Sequence, residues 1–303
     1  PEEGLALGVE AVVRGEGENV IGEVAALRAG TAPVIIEGVP VTELDDIPPL
    51  RLDDLKPFLA PDNHYTKGLY TILSGRGCPY GCNFCLGLEL RPHKLRFHSI
   101  EYFTDFLDVV YRGTGISRFF IPDDIFVLRP TRVLAFCDEV MRRFNGKLRF
   151  HCFTHAGHGN RELYRSMKDA GFFRVSMGVE HGNENILKVA GKHTTLSQIE
   201  TTCAQVREAG LELNLSYILG NITETDSTVT ETVNFAILLH RKYQATSWFS
   251  FMQPLPGSPV FAEAGQYGRF IDGAHTHQNL DLCYVPHGCK AAHLLCERQR
   301  GMA

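Results

Sequence analysis

Ser74-Gly75-Arg76-Gly77-Cys78-Pro79-Tyr80-Gly81-Cys82-Asn83-Phe84-Cys85 is the stretch on which the reading of the fold turns. Its cysteines, Cys78, Cys82 and Cys85, crowd onto a segment kept open by Gly75, Gly77, Pro79 and Gly81. All of them can turn toward one point, as a metal or cluster ligand set requires. A [4Fe-4S] cube normally takes four thiolates, so three would leave one iron open to a small molecule. A structural zinc site is closed by four ligands, usually from two separated pairs. The spacing here is C-x3-C-x2-C, with no second pair at zinc-ribbon distance. A disulfide framework belongs to short secreted chains, and this one has 303 residues.

A β-rich run, Leu69 to Leu73, leads into the loop, and others cover Arg118 to Ile121, Leu148 to Thr154, Phe172 to Val179, Leu211 to Leu219 and Ser247 to Met252. Helical segments lie between them, which predicts a parallel sheet joined by right-handed crossovers. About six such units fall short of the eight that close a full barrel. The expected fold class is α/β, a partial (β/α)6 TIM-like barrel of parallel strands with helices outside, plus a short N-terminal βα remnant. Thr195 followed by Gln198 is a capping box, Leu196, Ile199, Cys203 and Val206 form one apolar stripe, and Gly210 supplies the stop. Asn160 to Ala170 ends in the same way at Gly171.

Alternate side chains of a strand point to opposite faces. Val175, Met177 and Val179 are assigned to the helix side, which turns Arg174, Ser176, Gly178 and Glu180 inward. Leu213, Leu215 and Tyr217 likewise alternate with Glu212, Asn214 and Ser216, and His151 shares a face with His155. A filled barrel interior is mostly branched and apolar. Unpartnered polar groups there would cost roughly a few kcal/mol each, so the pattern predicts a bore that holds ligand and water. Active sites of such barrels lie at the C-terminal strand ends. Cys78 follows the first run, Asp123 and Asp124 the second, Glu180 ends the fourth and Gly220 the fifth. Candidates from distant parts of the chain thus converge on one rim.

The composition, 44% hydrophobic and 21% charged, is ordinary for a globular protein with a substantial core. A net charge of -5 with scattered Lys and Arg offers no basic field, and nucleic acid is not the expected partner. No apolar run is long enough to span a bilayer. Nine cysteines, an odd number, and no signal peptide point to a reducing cytoplasm.

Residues 1–30 read as one βα unit, with Gly8 to Val13 as strand and Val20, Val24 and Leu27 on the buried side of a short helix, and with no sheet to join. Residues 31–66 read as a linker, interrupted by Pro33, Pro40, Pro48, Pro49, Pro57 and Pro61, in which Val34 to Glu37 pairs as a hairpin with Val39 to Thr42. The barrel is assigned to 67–270 and a C-terminal tail of unknown role to 271–303. In that tail Cys283, Cys289 and Cys296 either join His287 or His293 in a second metal or cluster site or are simple unpaired thiols. The latter is the plainer reading, because no tight ligand pair occurs. His275 and His277 read as surface residues.

Cys78, Cys82 and Cys85, with aromatic Phe84 before the last, resemble the signature of the radical S-adenosylmethionine (radical SAM) superfamily. The resemblance implies a 4Fe-4S cluster on these cysteines whose open iron binds S-adenosylmethionine, cleavage of that cofactor to a 5′-deoxyadenosyl radical, and an electron donor such as flavodoxin or ferredoxin. It also implies roles at the rim. Asp123-Asp124 resembles the acidic pair near the methionine end of the cofactor, Glu180 the glutamate that bonds the ribose hydroxyls, and Phe84 the residue whose backbone meets the adenine. Tyr80, Ser176, Ser216 and Leu219 complete the expected cofactor contacts. Leu219-Gly-Asn-Ile-Thr-Glu-Thr225 resembles a Gly-x-Pro-Gly-Glu-Thr segment in which Ile222 and Thr223 replace Pro-Gly. Arg91 to Ser99, with Arg96, resembles the basic loop after the cluster, and Pro254 to Pro259 the segment after the sixth strand.

Residues 1–30 resemble the last βα unit of the cobalamin-binding domain that precedes the barrel in one subfamily. Its members methylate unreactive carbon or phosphorus, or form rings. The Asp-x-His-x-x-Gly segment that supplies the histidine under cobalt in many relatives is absent. The expectation is a fragment of a longer protein, using cobalamin only with a full N-terminal domain, and catalysing methylation or ring formation on a small organic molecule. The alternatives are a methylthiotransferase-like radical SAM enzyme on RNA or protein, and a non-catalytic iron-sulfur or zinc protein.

Overall fold

Six segments, Tyr70–Thr71 (β1), Arg118–Ile121 (β2), Arg149–Thr154 (β3), Phe172–Glu180 (β4), Glu212–Leu219 (β5) and Thr246–Phe251 (β6), make one sheet in which each strand pairs in parallel with the next. The structure is a computed structural model that describes residues 5, 8–27, 32–55, 69–87, 94–271 and 282–302. Helices carry each crossover: Ile100–Thr114 (α1), Pro130–Phe144 (α2), Arg161–Asp169 (α3), Glu184–Val189 (α4) with Leu196–Glu208 (α5), and Asp226–Tyr243 (α6). Pro259–Tyr267 (α7) and Ala291–Met302 (α8) follow the last strand. The sheet curls into a half-barrel whose edges are β1 and β6. This is the α/β partial barrel that the alternating pattern predicts. β1 is shorter than the Leu69 to Leu73 run because the chain leaves the sheet early to form the cysteine loop, and β4 runs one residue further, to Glu180.

Local chemistry sets the helix ends. Ser99 caps α1 by accepting from the Tyr102 N–H, and the Thr195–Gln198 box closes in both directions on α5. Ile199, Cys203 and Val206 are buried along the predicted stripe. Between the sheet and its helices lies an aromatic core. Phe136 of α2 meets Phe150 of β3 at 5.4 Å and Phe126 at 5.8 Å, and Phe150 meets Phe172 of β4 at 5.1 Å. All of these rings are fully buried, each contributing about 1.5–3 kcal/mol. The inner face is the polar one, as expected: Val175, Met177, Leu213, Leu215 and Tyr217 are buried outward, while Arg174, Asn214 and Ser216 keep solvent access.

Two expectations outside the barrel change. Ala11–Arg14 does have a sheet partner: it pairs in parallel with Val34–Glu37, Ala11 opposite Val34 and Arg14 opposite Glu37. The hairpin of Val34 to Glu37 with Val39 to Thr42 is therefore not formed. Pro40 cannot donate to a ladder, and the helix Ile21–Ala26 returns the chain in the direction a parallel partner needs. Val20, Val24 and Leu27 are only half-buried.

After the barrel, Gly268–Phe270 pairs antiparallel with Tyr284–Pro286. The α8 helix crosses β6 closely, so that a Cβ on Gly301 would sit 2.5 Å from the Phe249 ring. His275 and His277 lie outside the described residues, as do residues 91–93 of the basic loop.

Candidate active site

The cysteine loop is pinned at both ends. At its start, Asp123, 3% exposed at the tip of β2, accepts from the Ser74 N–H (2.7 Å), the Ser74 hydroxyl (2.5 Å) and the Gly75 N–H (3.1 Å). Burial pushes the Asp123 carboxyl up, against the pull of these donors and of the Arg132 charge. Arg132 donates to the carbonyls of Ser74 and His98 at 3.0 and 3.1 Å, and Gly75–Arg76 pairs with Arg96–Phe97 in a short ribbon. Further along, the Asn83 N–H donates to the Ala190 carbonyl at 2.9 Å, and Asn83 Nδ2 to the Val189 carbonyl at 3.1 Å. Cys82 Sγ lies 3.7 Å from the Gly191 carbonyl. Gly191 has φ +66, and a Cβ there would come within 2.9 Å of the Gly81 carbonyl, so the turn after α4 fits the loop only as glycine. Phe84 packs against a small cluster that includes Ile222, Met252 and Tyr284.

Cys78 and Cys82 are half-buried and Cys85 is exposed. Burial pushes the Cys82 thiol up to about 11; the Lys192 charge opposes this, and Glu180, Cys85 and Cys78 add to it. Burial also raises Cys78, with Asp124 and Cys85 contributing. The thiols thus lie within electrostatic reach of one another. No three His, Cys, Asp or Glu side chains among the described residues are placed to hold one metal ion. A cubane poses a different demand, since each thiolate binds its own iron.

Facing the loop, β4 ends in a bulge. The register shifts between Gly178 and Glu180, and Glu180 takes φ 68, outside the usual range for a non-glycine residue. Its Oε1 lies 3.0 Å from Lys192 Nζ, and both side chains are buried. Burial pulls Lys192 down, but Glu180 and the Cys82 and Cys78 thiols hold it above its usual value. A Cβ on Gly178 would lie 2.1 Å from the Glu180 carboxylate and 3.0 Å from the ammonium, so the pair folds back over this one bare position.

Tyr80 stacks on His155 at 4.4 Å, and its hydroxyl meets His158 Nε2 at 2.5 Å. Ser176 pairs with His151 Nε2 at 2.8 Å, and Ser216 is exposed on the inner face. The turn after β5, where Ile222-Thr223 stands for Pro-Gly, is held by Glu224, which accepts from the Gly220 and Asn221 N–H groups at 2.6 and 2.9 Å.

The rim therefore gathers Cys78, Cys82, Asp124, Glu180 and Lys192, with Tyr80 alongside. Three expected residues are placed otherwise. Asp123 commits its carboxylate to the loop's backbone. Leu219 shares the helix face with Leu213 and Leu215, fully buried, with its carbonyl taken by the Met252 N–H at 2.8 Å. Arg96, expected in a basic loop, is buried and donates to Glu16 at 2.9 and 2.5 Å. In the tail, Cys283 is buried against the Met252 carbonyl, Cys289 is half-buried and Cys296 is exposed on α8, while His293 bonds Thr230. Lys192, His155 and His158 were not singled out as site residues in the sequence. They lie on a turn or at a strand end without fixed spacing to the cysteines, and only the inward register of His155 pointed to the bore.

The model of the Radical SAM superfamily matches residues 72–236, more than half of the chain, and the chain belongs to that superfamily. Membership implies a 4Fe-4S cluster and S-adenosylmethionine as cofactors. An uncharacterised methyltransferase of Pyrococcus horikoshii is 27% identical over 84% of this chain and 58% of its own length. The anaerobic magnesium-protoporphyrin IX monomethyl ester cyclase of Cereibacter sphaeroides is 26% identical over 62% of this chain and 31% of its own. The chain thus spans between about a third and three fifths of these relatives. Among solved structures, the cobalamin-dependent S-adenosylmethionine radical enzyme OxsB with aqua-cobalamin and S-adenosylmethionine bound superposes with a TM-score of 0.70 at 16% identity, over 94% of this chain and 49% of that one. The methyltransferase TsrM from Kitasatospora setae, with cobalamin and a [4Fe-4S] cluster bound, gives 0.60 at 20% identity, over 79% and 40%. These likenesses establish the fold. No helix among the described residues is long and apolar enough to cross a membrane.

Proposed function

We propose that this chain is the catalytic barrel of an enzyme that cleaves S-adenosylmethionine reductively and uses the resulting radical to methylate, or close a ring in, a small organic molecule. The observation that carries this reading is the cysteine loop. It is fixed at Asp123 on one side and at the turn after α4 on the other, and it presents Cys78, Cys82 and Cys85 opposite the buried Glu180–Lys192 pair. The donor set fits the cluster: soft thiolates on one loop, with a cation close enough to offset their charge. When bound, the cluster and S-adenosylmethionine supply one-electron cleavage of the cofactor.

The chain's own residues bind and orient. Cys78, Cys82 and Cys85 hold iron, Asp123 and Asn83 fix the loop, and Lys192 and Glu180 offer a cation and a carboxylate for the polar ends of the cofactor. Asp124 and Tyr80 line the same approach, Ser176 and Ser216 lie deeper on the inner face, and Phe84 offers backbone beside the adenine. The names of the relatives, a methyltransferase and a cyclase, support the reaction class. Cobalamin enters only with a full N-terminal binding module, and the described residues before the barrel include one parallel two-stranded unit. A flavodoxin- or ferredoxin-type donor in a reducing cytoplasm would supply the electron.

The test is anaerobic reconstitution, iron and sulfide counting, and assay for 5′-deoxyadenosine with a strong reductant. About four irons per chain and reductant-dependent 5′-deoxyadenosine are expected, both lost in Cys82→Ser. Stoichiometric zinc, or no cofactor cleavage by an iron-loaded chain, would reject the reading.

A further inference from the structure

One row below Glu180 on the inner face, Gly178, Ser216 and Trp248 lie side by side in register across β4, β5 and β6. Trp248 is 63% exposed and is the one tryptophan in the sequence. Its strand neighbours Phe249 and Phe251 are buried outward, where Arg298 of α8 donates to the Phe249 carbonyl and sits over the Phe251 ring at 5.0 Å. The alternation of β6 is therefore intact, and the indole belongs to the bore.

The opposite side of the bore is aromatic as well. Phe120 of β2 stacks on His151 with centroids 4.6 Å apart, and meets Phe153 edge-on at 5.3 Å. Between these walls stand Ser176 and Ser216, while the Glu180–Lys192 pair covers Gly178. Two polar pairs stand nearby, Arg174 with Glu212 at 2.6 Å and His151 with Ser176 at 2.8 Å. Rings at the sides and small residues in the middle leave a slot. Leaving an indole in water forgoes apolar burial that a stacked ligand would restore.

We propose that this slot seats a flat, conjugated ring of the substrate against Trp248. It lies on the β5 and β6 side of the Glu180–Lys192 pair, which folds back over Gly178. The proposal rests on the radical SAM reading of the rim above it and adds to that reading a substrate class, planar unsaturated rings, with Trp248 as the residue that selects them.

Equilibrium dialysis of the reconstituted chain tests this with two acids of equal charge, planar anthracene-9-carboxylate and cage-shaped adamantane-1-carboxylate. The planar acid should bind at least about tenfold tighter, and Trp248→Ala should weaken it about tenfold, with Trp248→Phe restoring most of the loss. Ser216→Phe, which fills the slot from the neighbouring strand, should weaken it as much. Saturating S-adenosylmethionine should leave the planar acid bound. Equal affinity for the two acids, unchanged binding in both Trp248→Ala and Ser216→Phe, or displacement by S-adenosylmethionine would each overturn the proposal. The 5′-deoxyadenosine assay is read separately, so a chain that binds the planar acid without cleaving the cofactor loses the enzyme reading and keeps the slot.

Discussion

Truncating Asp123 to alanine would leave the N–H groups of Ser74 and Gly75, both buried, without their acceptor. Each such group costs about 1–3 kcal/mol, so Asp123→Ala should lower unfolding free energy by about 2–6 kcal/mol in urea titration and reduce the iron retained after reconstitution. Asp123→Asn, which can still accept, should lose less. The Glu180–Lys192 pair makes a different prediction, because an ion left alone in a buried site costs more than losing the pair. Lys192→Met should destabilise by about 3–5 kcal/mol, and the double variant Glu180→Gln, Lys192→Met should recover much of that loss in the same titration. The clustering of Cys78, Cys82 and Cys85 on one loop was legible from spacing alone, because such a loop is a local device. The partner of Glu180 was not, because nothing in the eleven residues of helix and turn between them marks Lys192 as inward-facing.

The N-terminal strand–helix–strand unit meets the barrel through the carboxylates of Glu16 and Glu18. Glu16 accepts from Arg96, from the Val41 N–H at 2.9 Å, and pairs with Arg76 at 3.3 Å, while Glu18 takes the other side of Arg76. Arg76 and Arg96 are opposite members of the ribbon that leads into the cysteine loop, so this contact ties the unit to the base of the site. The Arg96 guanidinium bonded to Glu16 holds its carboxyl down to about 2 from an ordinary 4.5. A depressed carboxylate contributes stability that is whole above the unfolded value and is lost as pH falls through the folded one. Wild type should therefore exceed Glu16→Gln by about 2–3 kcal/mol above pH ~4.5, with the gap closing as pH falls toward ~2, read as urea midpoints across that range. The strand Val34–Glu37 belongs to the same lesson: its β-branched run announced a strand, but its choice of partner depended on which edge the folded chain left open.

Across the assembled half-barrel, the cysteine loop, the turn after α4, the tip of β2 and the start of α7 are joined by hydrogen bonds that a bound cluster would reinforce. A ligand that binds only the folded state raises apparent stability by mass action. The iron-loaded chain should melt about 5 °C or more above the same chain stripped of iron, and Cys82→Ser should show no such difference in a differential scanning experiment under argon. The sequence by itself determined the order of strands and helices, the polar inner face and the cysteine loop. Period-two alternation, capping and ligand spacing are properties of neighbours along the chain, so they survive without coordinates. Only the tertiary structure decided that Asp123 serves the loop, that Leu219 turns to the helices, that Lys192 faces Glu180, and that Trp248 stands uncovered inside the bore. Those outcomes depend on which groups lose water together, and groups far apart in the chain share a dry space only after the sheet has curled.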